Sequence, residues 1–289
     1  MIKLLKPIGH CYGVVNALNI AKQTVKEYPD KTIYVFGLLV HNEEVRKELD
    51  SLGIITLDLK GIDPLARLRE FNQDDVVIFT AHGHPDIYES ILKERGVTFI
   101  DSTCKRVKDC FNIIRKANHV IYIGKKDHPE ANAALTMNNN VYFYDINEPF
   151  DYSKVKASDP LVINQTTLSF LELKKIHEEI KNNIPNAIMV DEICNATLLR
   201  QQALLALNEE VDTIIIVGSK KSSNTMKLYE LAVASHPNKQ IYLFESVQDC
   251  IDKPIKYTNA VIASGTSTPM KTINQIKEYL ERNTGYGKR

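Results

Sequence analysis

Three cysteines, Cys11, Cys104 and Cys194, stand 93 and 90 residues apart. Each lies between a short apolar run and a helical pattern, the runs being residues 2–8, 97–101 and 187–190. A period this long is meaningful only if other positions recur with it, and two sets do. In the first, an apolar run ends in glycine and a polar residue opens a helix four positions later: 32–36 with Gly37 and His41-Asn42, 120–123 with Gly124 and His128-Pro129-Glu130, 213–217 with Gly218 and Ser222-Ser223-Asn224. In the second, a run leads into a polar residue before a helix: 76–79 before His82, 161–164 before Thr166, 260–263 before Ser267. One further strand per unit is read at 54–57, 141–144 and 240–244.

Strands alternating with helices predict parallel α/β sheets. The continuous Val/Ile runs fit strands covered on both faces. Ligands of such sheets bind beyond the carboxyl ends of the strands, where all the recurring landmarks fall. The expected fold class is therefore α/β, with three pseudo-threefold-related domains on small parallel sheets arranged around one centre. The units are read as 1–102, 103–192 and 193–289, the last with a loose polar tail from residue 283. Units of about 90 residues bury limited surface alone, so they are expected to share that centre. The strand before each cysteine is free to pair with either adjoining unit, and the leading strand 2–8 is a candidate to close the third sheet.

A lone cysteine is usually a packing residue, and Cys110 and Cys250, which lack counterparts in other units, are read so. The three recurrent thiols are different. At a helix start the amide dipoles favour the thiolate, and soft thiolates select iron–sulfur clusters, zinc or copper(I). Structural zinc wants four ligands, commonly with close Cys-x-x-Cys pairs, which are absent. Three remote thiolates favour a cluster with one open iron. Five cysteines in all, without a framework spacing, fit a reducing cytoplasm. The 36 basic and 36 acidic residues balance, which leaves no basic field for nucleic acid. No apolar run reaches the length of a membrane span, and the first residues lack the apolar core of a signal peptide.

The remaining landmarks suit an anion. Ser222, Ser223 and Asn224 open a helix, whose free N–H groups and dipole make a phosphate site, although N-capping alone would also select them. His41 and His82 reach matching strand ends and can donate to the same anion. Glu130 is the single carboxylate among the landmarks, placed to relay protons beside an open metal site. Thr166 supplies a neutral hydroxyl able to orient a substrate alcohol.

The motifs Gly9-His10-Cys11-Tyr12-Gly13-Val14, Val40-His41-Asn42, Ala81-His82-Gly83, Asp101-Ser102-Thr103-Cys104 and His128-Pro129-Glu130 resemble those of the 4-hydroxy-3-methylbut-2-enyl diphosphate reductases. So do Gln165-Thr166-Thr167, Ile193-Cys194-Asn195-Ala196-Thr197 with Arg200-Gln201, and Gly218-Ser219-Lys220 with Ser222-Ser223-Asn224. The resemblance runs from residue 9 to 269 in the family's order. It implies a trefoil-like protein around a [4Fe–4S] cluster, one per chain, held by Cys11, Cys104 and Cys194 with one iron open to substrate. It also implies that His41, His82, His128, Ser222, Ser223, Asn224 and Ser267 hold the diphosphate, that Glu130 delivers protons, and that Thr166 orients the alcohol. The implied reaction is a two-electron, two-proton loss of water from an allylic diphosphate. The products would be isopentenyl and dimethylallyl diphosphate, the last step of the non-mevalonate isoprenoid pathway. Electrons would come from ferredoxin or flavodoxin, in a cytoplasmic monomer or weak homodimer.

The chain departs from the family pattern at His10, Lys105, Met270 and the loop Gly83-His84-Pro85. Of these, His10 and His84 are the two that would add charge near the site. Three rivals compete with the reductase reading. A quinolinate-synthase-like dehydratase shares three cysteines and an open iron, but not the His-Pro-Glu, Gln-Thr-Thr and Ser-x-Asn marks. A cluster-free phosphate-binding protein is opposed by the three cysteines together with Glu130. A zinc hydrolase lacks a fourth ligand.

Overall fold

The computed structural model describes residues 1–190 and 194–283. Ile193 and the tail beyond Asn283 lie outside the described residues. The first sheet holds β2 (Thr32–Phe36), β3 (Ile55–Leu57), β4 (Asp75–Phe79) and β5 (Thr98–Asp101) in the order β3-β2-β4-β5. The second holds β6 (Val120–Gly124), β7 (Val141–Asp145), β8 (Leu161–Asn164) and β9 (Ile188–Met189), ordered β7-β6-β8-β9. The third takes β10 (Thr213–Val217), β11 (Gln240–Phe244) and β12 (Ala260–Ser264), and its fourth strand is β1 (Ile2–Leu4), ordered β11-β10-β12-β1. All pairings are parallel. The three sheets share one topology, and the chain's first strand completes the sheet begun by its last third.

β1 stops earlier than the apolar run at residues 2–8. Leu5 still donates to the Ile262 carbonyl at 2.8 Å, but Pro7 has no N–H to continue the ladder.

Each central strand is buried on both faces and sends alternate side chains to opposite cores. In β4, Val76 and Ile78 join the core with Val14, Leu18 and Val35, while Val77 and Phe79 join Phe36, Phe71 and Leu92. In β6, Val120 and Tyr122 pack with Phe111, whereas Ile121 and Ile123 pack with Leu173 and Ile176. In β10, Ile215 and Val217 face Ile273 and Ile276, and Ile214 and Ile216 face Leu204 and Leu228. This double burial explains why these strands read as unbroken Val/Ile runs. Cys110 and Cys250 are buried in two of these cores.

Each recurrent cysteine joins the fourth strand of one sheet to a helix packed on the next. The helices are α1 (Tyr12–Glu27), α5 (Lys105–Lys116) and α8 (Asn195–Leu205), where α2 (Glu43–Ser51), α3 (Pro64–Leu68) and α4 (Asp86–Glu94) intervene in the first unit and α6 (Pro129–Ala134) and α7 (Phe170–Asn183) in the second. The third unit continues with α9 (Ser223–Ser235), α10 (Val247–Asp252) and α11 (Met270–Asn283). The cysteines thus lie at the seams between units.

Candidate functional site

Cys11, Cys104 and Cys194 are the N-cap residues of α1, α5 and α8, all with extended backbone and none using its sulfur to cap the helix. Their amides are anchored alike. Cys11 donates to the Thr266 carbonyl, Cys104 to Ala81 and Cys194 to Thr166, each at 3.0 Å. Each acceptor lies two residues beyond the end of the third strand of its sheet, β12, β4 or β8. The pseudo-threefold relation therefore extends to single hydrogen bonds.

One cavity collects these cysteines together with His41, His82, His128, Glu130, Thr166, Ser222, Ser223, Asn224 and Ser267. Every candidate read from the sequence lines it. Thr167, Thr197, Thr266 and Arg106 line it too. In the sequence nothing but their neighbourhood to a landmark marks these four. Neither His10 nor His84 lines it. Burial pushes both below the ordinary histidine value. His84 stacks on Phe79 at 3.8 Å and meets Glu89 in an adjoining groove. Lys105 is exposed and pairs with Asp109.

Glu130 is 1 % exposed. Its Oε1 accepts from the Thr166 amide at 2.8 Å and from the Tyr122 hydroxyl at 3.4 Å, and its Oε2 accepts from the Thr166 hydroxyl at 2.9 Å. Burial raises its pKa to about 7, even though the Thr166 and Tyr122 hydrogen bonds pull the other way. A group in that range both keeps and releases a proton near neutrality. It sits in the first turn of α6, whose N-cap is His128; the His128 Nδ1 accepts from the Glu130 amide at 3.2 Å, so the ring's proton resides on Nε2.

The anion side is built from neutral donors. Burial, reinforced by neighbouring rings, holds His82 well below its ordinary value, and burial brings His128 to about 3. Burial, then the Lys221 charge, lowers His41. The rings of His41 and His82 are 5.1 Å apart and those of His82 and His128 are 5.7 Å apart. Across the cavity, Ser222 caps α9 through the Thr225 amide and is 3.4 Å from the Ser267 hydroxyl. Asn224 donates to Thr197 at 2.8 Å and accepts from the Thr266 amide at 3.0 Å, so its amide is fixed in orientation. Ser223 accepts from Thr167 at 3.2 Å, joining the second unit to the third.

The thiols differ from the sequence expectation in one respect. Burial pushes Cys11 and Cys104 up, outweighing the backbone N–H groups of α1 and α5 that favour the thiolate. The dipole effect is present, but desolvation is larger. Metal binding supplies the missing driving force, because a coordinating thiol is deprotonated outright. The donor set fits a soft metal cluster. Cys194 adds to the upward shift of Cys11, and Cys11 and Cys194 to that of Cys104, so the sulfurs lie close together, and the backbone at Gly13 opens room beside them. A Cβ on Gly13 would lie 2.7 Å from the Cys104 Sγ and 3.9 Å from the Cys11 Sγ. Among the described residues, no three His, Cys, Asp or Glu side chains are grouped to hold a single metal ion.

Fold and site together define a class: a three-unit α/β protein whose central cavity combines three cysteines, a buried acid and a ring of neutral anion donors. The model of the LytB protein family matches residues 2–281, and the chain belongs to that family, one of iron–sulfur reductases. It is 33 % identical to the 4-hydroxy-3-methylbut-2-enyl diphosphate reductase of Malacoplasma penetrans, over 98 % of this chain and 99 % of that one. It is 34 % identical to the reductase of the same name from Bacillus subtilis, over 96 % and 90 %. The solved structure of the E-1-hydroxy-2-methyl-but-2-enyl-4-diphosphate reductase from Plasmodium falciparum superposes with a TM-score of 0.81 at 25 % identity, covering 99 % of this chain and 89 % of that one. A solved (E)-4-hydroxy-3-methyl-but-2-enyl diphosphate reductase, described as the terminal enzyme of the non-mevalonate pathway, gives 0.68 at 28 % identity over 98 % of each chain.

Proposed function

We propose that this chain reduces (E)-4-hydroxy-3-methylbut-2-enyl diphosphate to isopentenyl and dimethylallyl diphosphate, the terminal step of the non-mevalonate pathway. The observation that carries the reading is the convergence of the three cysteines, the Glu130–Thr166 pair and the anion donors on one cavity. Cys11, Cys104 and Cys194 would hold a [4Fe–4S] cluster, which supplies electrons one at a time and polarises the leaving hydroxyl.

The chain's own residues do the rest. The neutral imidazoles of His41, His82 and His128 donate to the diphosphate, and the arriving negative charge raises their pKa values and strengthens those bonds. Ser222, Ser223, Asn224 and Ser267 hold it from the α9 side, so the alcohol end points toward the cysteines and Glu130. Thr166 keeps the Glu130 carboxyl in place and presents its hydroxyl to the substrate alcohol. Glu130, whose pKa burial raises to about 7 so that it can hold a proton near neutrality, delivers a proton to the departing hydroxyl. Two electrons and two protons enter, and water leaves.

A ferredoxin or flavodoxin is the proposed donor, in a cytoplasmic monomer or weak homodimer. No helix among the described residues is long and apolar enough to cross a membrane. The unit edges at 102 and 192 are part of the same proposal, with β1 serving the third unit. The test is anaerobic reconstitution followed by iron and sulfide analysis and addition of the allylic diphosphate. The expected result is iron and sulfide in [4Fe–4S] amounts and a changed cluster spectrum on adding substrate. Protein that loads no cluster, or a spectrum indifferent to substrate, would sink the proposal.

A further inference from the structure

Arg200 is 4 % exposed and lies on α8, in the second turn after Cys194. Its Nη1 donates to the Ala196 carbonyl at 2.8 Å and its Nη2 to the Gly9 carbonyl at 2.6 Å. Ala196 is two residues after Cys194, and Gly9 is two residues before Cys11. One guanidinium therefore fastens the backbone beside two of the three cysteines, which are far apart in the chain. Its third nitrogen, Nε, is buried with no hydrogen-bond partner among the described residues. Among the described residues no carboxylate pairs with it, and its two engaged nitrogens meet only backbone carbonyls.

A guanidinium stays charged in a protein. A buried cation with only carbonyl partners is unbalanced until negative charge sits beside it. The sulfurs of Cys11 and Cys194 are where that charge arises once they ligate metal. We propose that Arg200 is a positioning and potential-setting residue, holding a fixed positive charge and a spare N–H against the Cys11 and Cys194 ligands so that the cluster they hold is easier to reduce. This rests on the cluster reading of the preceding section. Reduction adds negative charge to the cluster, and a fixed cation in a poorly screened interior favours the more negative state. A hydrogen bond to a ligand sulfur acts in the same direction.

The experiment compares the reconstituted full chain with Arg200→Lys and Arg200→Gln by iron and sulfide content and by anaerobic potentiometric titration. Lysine keeps the charge, and glutamine keeps a donor without it. The expected result is that Arg200→Lys loads a cluster with a potential near the parent's. Arg200→Gln either fails to hold one or shifts it negative by at least a tenfold change in the reduction equilibrium, which is 59 mV for one electron. The inference is overturned if Arg200→Gln holds a cluster at the parent potential. It is equally overturned if Arg200→Lys is as impaired as Arg200→Gln, since the hydrogen bonds alone would then matter. A parent chain that loads no cluster would instead refute the function proposed above.

Discussion

At the scale of the residue, the chemistry turns on how Glu130 is buried. Its carboxyl is removed from water and receives three hydrogen bonds, and burial wins by enough to bring its pKa to about 7. Glu130→Gln keeps the shape and the Thr166 contacts but cannot deliver the proton. Turnover should fall by about 100-fold or more while iron and sulfide content stays at the parent level. Full turnover of the variant would remove Glu130 from the mechanism. The parent's rate should also decline as pH rises through about 7, where Glu130 loses its proton, and the residual rate of the variant should lack that limb. Stability carries the same signature. The folded-state pKa lies above the unfolded value of 4.5, so this residue's contribution is fully present below 4.5 and lost as pH rises through about 7. Glu130→Gln should therefore gain on the parent across that window by on the order of 3 kcal/mol, read from urea midpoints at pH 4 and pH 8.

At the scale of the element, the site is a set of helix starts placed by strand ends. Gly13, the second residue of α1, tests that placement. A methyl there would fall against the Cys104 sulfur, whereas alanine in a helix is favoured over glycine by up to about 1 kcal/mol. Gly13→Ala should thus load only a small fraction of the parent's iron, while the urea midpoint of the iron-free protein holds or rises. Equal loading would show that the sulfurs have room to move. Ser222→Ala removes the N-cap of α9 at a cost of about 1 kcal/mol, and it should raise KM more than it lowers kcat.

The elements were legible in the chain because the buried strands read as Val/Ile runs closed by glycine or a polar residue. The landmark residues followed from their common offset within each unit. The end of β1 was less legible, since Pro7 interrupts a run that stays apolar to Ile8. The thiol environment was legible only in part. A helix start visible in sequence predicts a favoured thiolate, but the depth of burial that reverses it for Cys11 and Cys104 is set by packing between units. The roles of Arg200 and Thr197 are not legible in their motifs, because their contacts reach Gly9 and Asn224, distant in sequence.

At the scale of the whole molecule, β1 closes the third sheet with the chain's N-terminus, and each cysteine lies where one unit hands the chain to the next. A cluster bound by all three would staple the units, because a group that binds only the folded state stabilises it. Removing iron with a chelator should lower the Tm by several degrees, about 2–4 °C for each kcal/mol lost in a chain somewhat smaller than this one. An unchanged Tm would mean that the units hold together without the centre. The most direct measurement is anaerobic turnover of (E)-4-hydroxy-3-methylbut-2-enyl diphosphate by the reconstituted chain, followed by oxidation of a reduced viologen and product analysis. The account predicts steady oxidation with isopentenyl and dimethylallyl diphosphate formed together. Protein carrying a full [4Fe–4S] cluster that forms neither product would contradict it.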